Sequence, residues 1–413
     1  MKEAILPAAK PGGYTDAESA ALAAQYRATL VDDVLPFWLR HGLDREHGGF
    51  LTCLGRAGEL LDSDKAIWLQ GRAAWMFATA YLTIERRPEW LEASRSAVGF
   101  LRRHAFAPDG KMYFTVTREG RPLRMRRYVF SECFAAIGCA AYARASGDAR
   151  AAAEARNAWA AYLRYTFTPG LIAPKTDPAV RPMKGLAPLM IAIVTAQELR
   201  ANLGELEAGG AGCGAWIDRA VAEIERDFMK PEFEGVLECV GPNGEFLDHF
   251  DGRIMNPGHA IEATWFILHE ARVRGGDARL LKTGLTILDW MWKQGWDPEH
   301  GGIFYFRDAR GLPVQEYWHD MKFWWPHNEA EIATLLAWRL TGEPRYADWH
   351  RRVHAWSFEH FADPQYGEWY GYLHRDGRVS VPLKGNLWKG PFHLPRMLSY
   401  NLGLLGVEPT GKS

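Results

Sequence analysis

The chain has 413 residues, 47% of them hydrophobic, enough to bury a large core. Forty-nine basic residues stand against fifty acidic ones, a net charge of −1, so no long-range field gathers nucleic acid or an anionic membrane. Five cysteines (Cys53, Cys133, Cys139, Cys213, Cys239) form an odd set without a CxxC pair, which argues against a disulfide framework and a zinc knuckle and predicts mostly buried thiols.

The first residues, MKEAILPAAKPGG, lack the apolar centre of a signal peptide, and roughly residues 1–15 read as a flexible extension. The longest apolar run, around Leu186 to Ala196, is too short to span a bilayer. The expectation is a cytoplasmic protein without membrane or nucleic-acid partners.

Long helical patterns then alternate with short Gly-rich turns flanked by aromatics. The turns are DREHGGFLTCL from Asp44, APDGKMYFTV from Ala107, TPGLIAPKTD from Thr168, KPEFEGVLECV from Lys230, DPEHGGIFYF from Asp297 and DPQYGEWYGYL from Asp363. They recur at intervals of roughly 61 to 67 residues, the mark of a repeat architecture. Between turns there is room for two helices, as in the amphipathic stretches Ile67–Ile84 and Pro88–Ala105. Six such hairpins make about twelve helices, and the aromatic-rich segments need a common interior. The predicted fold is therefore all-α, an (α/α)6 barrel over one domain, residues 1–413, with short hairpins in the connecting loops. An open superhelix is the alternative, although a solenoid has more regular repeats.

Several segments carry candidate chemistry. In DKAIWLQGRAAWMF, Trp68 and Arg72 stand at i, i+4, so a guanidinium projects beside an indole; it can donate to a ligand's hydroxyl or acyl oxygen or serve in a surface ion pair. The basic run RPLRMRRY, Arg121 to Tyr128, suits either an anion or a solvated loop. In MNPGHAIEATWF, Asn256 is a good N-cap and Pro257 suits the first helical position, so His259 and Glu262 share a face at i, i+3. The helix amino terminus disfavours imidazolium and the carboxylate favours it, poising His259 as an acid/base unless it only caps or packs.

KFWWPHNEAE, Lys322 to Glu331, mixes indoles with polar groups as a pocket wall does. Asn328 with Glu331 three residues on resembles a capping box, which would put Trp324, Trp325 and His327 just before a helix. His350 and His354 in HRRVH have zincin spacing but lack the glutamate and carry two arginines between them, so no metal is expected there. In GPFHLPRM, His393 starts the last helix among apolar neighbours, a setting that also suits a packing role. GVEPTGKS, Gly406 to Ser413, matches the P-loop letters, but no helix follows to meet a phosphate.

The segments HGGFLTCL, KAIWLQGR, FSECF, GRIMNPGHAIEATWF, GWDPEHGGIFYF, MKFWWPHNEA, DPQYGEWYGYL and KGPFHLPR, in that order along nearly the whole chain, resemble the N-acylglucosamine 2-epimerase (renin-binding protein) family. The resemblance implies an (α/α)6 barrel with a central active site and isomerase chemistry at C2 of a sugar, interconverting N-acetylglucosamine and N-acetylmannosamine. It places the acid/base pair on His259 and His393 and the sugar site on Arg72, Glu262, Trp325, His327 and Trp388. It also implies no metal or redox cofactor, ATP or another nucleotide as an allosteric activator, and a homodimer. One departure bears on substrate: sister epimerases and isomerases resemble one another in a further histidine on a middle helix, where this chain reads RPMKGLAPLM, Arg181 to Met190, and that favours the N-acyl branch. The alternatives are 2-epimerisation or aldose-ketose isomerisation of an unsubstituted sugar, a glycoside hydrolase using Glu262, Glu329 and Glu368, and a non-catalytic regulatory binding protein.

Overall fold

The computed structural model describes residues 12–126 and 128–406. Thirteen helical segments are found among them: α1 (Asp16–Ala28), α2 (Leu35–Phe37), α3 (Ile67–Thr83), α4 (Pro88–His104), α5 (Phe130–Ser146), α6 (Ala149–Phe167), α7 (Ala187–Leu203), α8 (Cys213–Glu223), α9 (Pro257–Val273), α10 (Ala278–Gly295), α11 (Trp324–Thr341), α12 (Pro344–His360) and α13 (His393–Leu404). α2 is a single turn between two wider π-type turns that continue α1. Pro36 lies at its centre, where the missing N–H and the ring's clash with the preceding turn widen the spiral.

The other twelve helices form two rings. α3 packs on α5, α5 on α7, α7 on α9, α9 on α11, α11 on α13, and α13 returns to α3, which closes the inner ring. Outside it, α4, α6, α8, α10 and α12 each pack on the inner helix that precedes them, and α1 covers α13. Sequence decides which helix lies where. Inner α3, α5 and α11 are buried on nearly every side, whereas outer α4 and α10 bury one stripe, for example Trp90, Ala93, Ala97 and Leu101 of α4.

Two inner helices touch backbone to backbone. A Cβ on Gly71 of α3 would lie 2.4 Å from the Phe134 carbonyl of α5, and one on Gly138 would lie 2.5 Å from the Gly71 oxygen.

Four of the six repeated turns close with a single antiparallel bridge, Leu43 with Phe50, Phe106 with Met112, Trp296 with Ile303 and Ala362 with Trp369. The fourth in chain order closes with a short hairpin, Met229–Lys230 against Gly235–Val236, and only the turn from Thr168 is irregular. In three turns the leading aspartate is the hub of a buried clasp. Asp44 binds Lys65 at 2.8 Å and Arg118 at 2.9 Å; Asp297 binds Lys322 at 3.0 Å and Arg375 at 2.8 Å; Asp363 binds Lys384 at 3.0 Å and Arg56 at 2.8 Å. All three lysines are fully buried. The third clasp joins the last turn to the first, so it staples the ring shut.

Two expectations change. The helix after Phe323 begins at Trp324, so Asn328 and Glu331 lie inside α11 and form no cap. Phe323 takes the cap position because Lys322–Phe323 is a strand paired with Tyr372–Leu373, and Pro326 is tolerated in a first turn. Of the extension expected over residues 1–15, residues 1–11 lie outside the described part. Tyr14 docks on Trp338 and bonds His350 at 2.7 Å, and Thr15 forms a capping box with Glu18. The P-loop-like stretch after Gly406 also lies outside the described residues. No helix among the described residues is long and apolar enough to cross a membrane.

Candidate active site

Amino ends of the inner helices bring the candidate residues together. Arg72 comes from α3, Phe134 from α5, His259 and Glu262 from α9, Trp325 and Glu329 from α11, and His393 and Arg396 from α13, all within the first two turns. Such ends carry partial positive charge and unsatisfied N–H groups, which favour a developing anion.

His259 sits where the sequence predicts. The Asn256 side chain accepts from the His259 N–H at 3.1 Å and Pro257 occupies the first turn. Its imidazole Nδ1 is 3.0 Å from each carboxylate oxygen of Glu238, and 28% of the side chain is exposed. A carboxylate only accepts, so Nδ1 carries the hydrogen and Nε2 is the nitrogen available to a ligand. Burial pulls the imidazolium pKa down, but Glu238, then Glu262 and Glu329, overcome it, and the net shift is upward.

His393 lives in the opposite field. Its Nδ1 donates to Glu329 at 2.7 Å, and burial together with the Arg396 and Arg72 guanidinium groups pushes its pKa well below the ordinary value. Trp325 lies between the two histidines, with its ring centroid 5.0 Å from that of His259 and 5.8 Å from that of His393. The field around one imidazole thus favours its protonated form and that around the other the neutral form, the separation of roles that an acid/base pair uses.

Arg396 ties the floor together. Its Nη2 donates to Glu262 and to Glu329 at 2.6 Å each, and Trp265 Nε1 adds a bond to Glu329 at 2.7 Å. Glu262, Glu329 and His393 bring three ligand atoms within 4.8 Å of one another, but the guanidinium already supplies the cation in their midst. The two carboxylates are cross-linked through Arg396, so they do not face each other across an open cleft as a hydrolase pair would. Glu368 is buried with Lys389 at 2.7 Å and Trp38 at 2.6 Å, a structural knot.

Arg72 is enclosed by the rings of Phe134, Phe392 and Trp68, with its guanidinium carbon 4.1, 4.7 and 4.8 Å from their centroids. Burial lowers its pKa to about 10, so it stays charged, and its buried Nε has no acceptor among the described residues. Trp388 is 43% exposed and packs edge-on against Trp68 at 5.1 Å, so it belongs to the rim.

His327 does not join this group. Its Nδ1 donates to the Phe323 carbonyl at 2.6 Å, its Nε2 accepts from the Ile303 N–H at 2.8 Å, and its ring stacks on Trp356. Both nitrogens serve the backbone, and burial drives its pKa down to about 3. Elsewhere, His350 and His354 share bonds with Tyr26, and Tyr14 also binds His350. In the basic run, Arg121 and Arg124 are exposed, while Arg126 lies over Phe114 and Trp388.

Sequence reasoning missed Glu238 and Arg396. Glu238 lies in a turn noticed only as a repeat, and Arg396 is three residues after His393, a spacing that places both on one helical face.

Comparison with known proteins identifies the family. Residues 49–393 match the family model for N-acylglucosamine 2-epimerase (GlcNAc 2-epimerase). The chain is 41% identical over 380 residues to the N-acylglucosamine 2-epimerase of Bos taurus, covering 90% of this chain and 88% of that protein. To the Homo sapiens protein of the same name it is 40% identical over 388 residues, covering 91% and 88%. The fold is shared with the solved cellobiose 2-epimerase of Bacillus thermoamylovorans, with a TM-score of 0.80 and 18% identity over 93% of this chain and 99% of that one. These matches, which cover about nine-tenths of the chain, place it in the N-acylglucosamine 2-epimerase family.

Proposed function

We propose that the protein is a sugar 2-epimerase that interconverts N-acetylglucosamine and N-acetylmannosamine, with His259 and His393 as its acid/base pair. The observation that carries the reading is the pair of imidazoles flanking Trp325 in opposite electrostatic settings, within a family whose similar members bear that name. The C2 proton of an aldose is acidic only in the open-chain aldehyde, so the bound sugar first opens.

His393 Nε2 then takes the C2 proton, and the C–H electrons form the C1–C2 double bond while negative charge passes to O1. Arg72, cationic and with an uncommitted donor, stabilises that oxygen. His259 delivers a proton from its Nε2 to the opposite face of C2, and the reverse reaction uses the two histidines in exchanged roles. A positioned acid/base contributes about 10²–10⁴-fold. At the amino end of α7, Ala187, Pro188, Leu189 and Met190 offer no titratable group, which supports an N-acyl substrate over the isomerases' extra histidine.

The test is incubation with N-acetylmannosamine in D2O, following the C2 proton by NMR with and without ATP. Epimerisation with deuterium at C2 is the expected outcome, raised by ATP that is not consumed; His259→Asn and His393→Asn each abolish it while keeping the fold. Full activity in either variant refutes the assignment. Exchange with mannose or glucose alone moves the substrate to an unsubstituted sugar. Sedimentation of the same sample tests a homodimer.

A further inference from the structure

We propose that Glu238 is a positioning residue for His259: it fixes the ring so that Nε2 faces the sugar and keeps a proton on that nitrogen between turnovers. The proposal rests on the epimerase reading above.

The geometry is specific. Both Glu238 oxygens lie 3.0 Å from Nδ1, so the N–H points between them, and rotation of the ring by half a turn would break both contacts. The carboxylate is itself pre-placed. The Glu238 N–H donates to the Ile254 carbonyl at 2.8 Å, ahead of α9, and its carbonyl accepts from the Leu186 N–H at 3.0 Å, at the start of α7. On one side Gly235–Val236 pairs with Met229–Lys230, and on the other Cys239–Val240 pairs with Lys184–Gly185. These bonds use the backbone alone, so the fold does not require a carboxylate at 238. The side chain's contact with His259 is then a matter of chemistry.

Other charges around the pair do not substitute for it. Glu262 on α9 and Glu329 on α11 also favour the His259 imidazolium, but both are bound by Arg396. His393 on α13 lies within electrostatic reach of His259, and burial with the Arg396 and Arg72 cations pushes its own pKa down. Lys175, Tyr305 and Cys239 lie within electrostatic reach of Glu238, and none is hydrogen-bonded to His259. Glu238 is the one carboxylate hydrogen-bonded to His259 among the described residues.

The sign follows. Removing the negative charge lowers the His259 pKa, so its protonated form is lost at a lower pH and the basic limb of the pH–kcat profile moves toward acid.

The experiment compares wild type with Glu238→Gln and Glu238→Asp by two readouts: 15N NMR titration of the histidines, assigned with His259→Asn, and kcat and KM for N-acetylmannosamine across pH. The NMR arm needs no substrate, so it tests Glu238 even if the epimerase reading fails. The expected result is a lower His259 titration midpoint in Glu238→Gln, kcat reduced about 10–100-fold, KM within about twofold, and partial recovery in Glu238→Asp. An unmoved His259 titration, or a moved one with wild-type kcat and pH profile, overturns the proposal.

Discussion

Replacing Asp363 by Asn tests the ring-closing clasp. The substitution keeps the shape of the hub and removes its charge. Asp363 accepts from Arg56 at 2.8 and 3.1 Å, from Tyr370 at 2.8 Å and from Lys384 at 3.0 Å. Burial lowers the Lys384 pKa to about 8, with Asp363 the main opposing influence. Without that opposition the ammonium loses its proton near neutrality, which caps the lysine's share of the penalty at pH 7 at about 1.4 kcal/mol, one pKa unit. Three weakened charge-assisted bonds add about 0.5–1 kcal/mol each. The total is about 3–4 kcal/mol, in the range for breaking a buried pair. A lysine whose folded pKa is depressed makes stability rise with pH between its folded and unfolded values. Above pH 8 Lys384 is neutral in both proteins, so the deficit at pH 9 is smaller than at pH 6 by about 1.5–2.5 kcal/mol. Urea unfolding of both proteins at pH 6, 7 and 9 measures this. A deficit under about 1 kcal/mol at pH 7, or an equal deficit at pH 6 and 9, refutes the reasoning.

Three further outcomes are expected. Arg72→Met lowers kcat by about 10²–10³-fold with little loss of stability, because its ring contacts accept an apolar chain; stopped assays and thermal melts check this. Gly71→Ala gains about 1 kcal/mol in helix propensity but sets its Cβ 2.4 Å from the Phe134 carbonyl, so it lowers stability by about 1–3 kcal/mol net by urea titration. His327→Phe keeps the stack on Trp356 but strands the buried Ile303 N–H, costing about 1–3 kcal/mol while kcat per folded molecule stays at the wild-type value.

Local signals in this sequence were reliable wherever local forces decide. The stretch Ile67–Ile84 became α3 to within a residue, Pro88 opened α4, and Asn256 with Pro257 started α9 as their chemistry dictates. Asn328 and Glu331 show the limit. Their spacing is that of a capping box, but the helix had already begun at Trp324, and Glu331 instead accepts from Tyr26, 305 positions away, at 3.1 Å. His327 shows the same limit: only the turn at Gly302–Ile303 reveals that its Nε2 is already used. His259 and His393 were singled out through family resemblance, whereas their opposite electrostatic settings depend on Glu238, 21 positions from His259, and on Arg396 and Arg72 converging from α13 and α3.

The closure of the ring by α13 has a consequence for biosynthesis. His393 and Arg396 arrive on α13, and α1, made well before it, packs chiefly on that helix. A nascent chain can assemble α3 through α11 in order as hairpins emerge, but the pocket holds His259 without His393 until residue 393 has left the ribosome tunnel. Until then the ring stays open and α1 waits with the face that meets α13 uncovered, the interval in which a chaperone has most to offer.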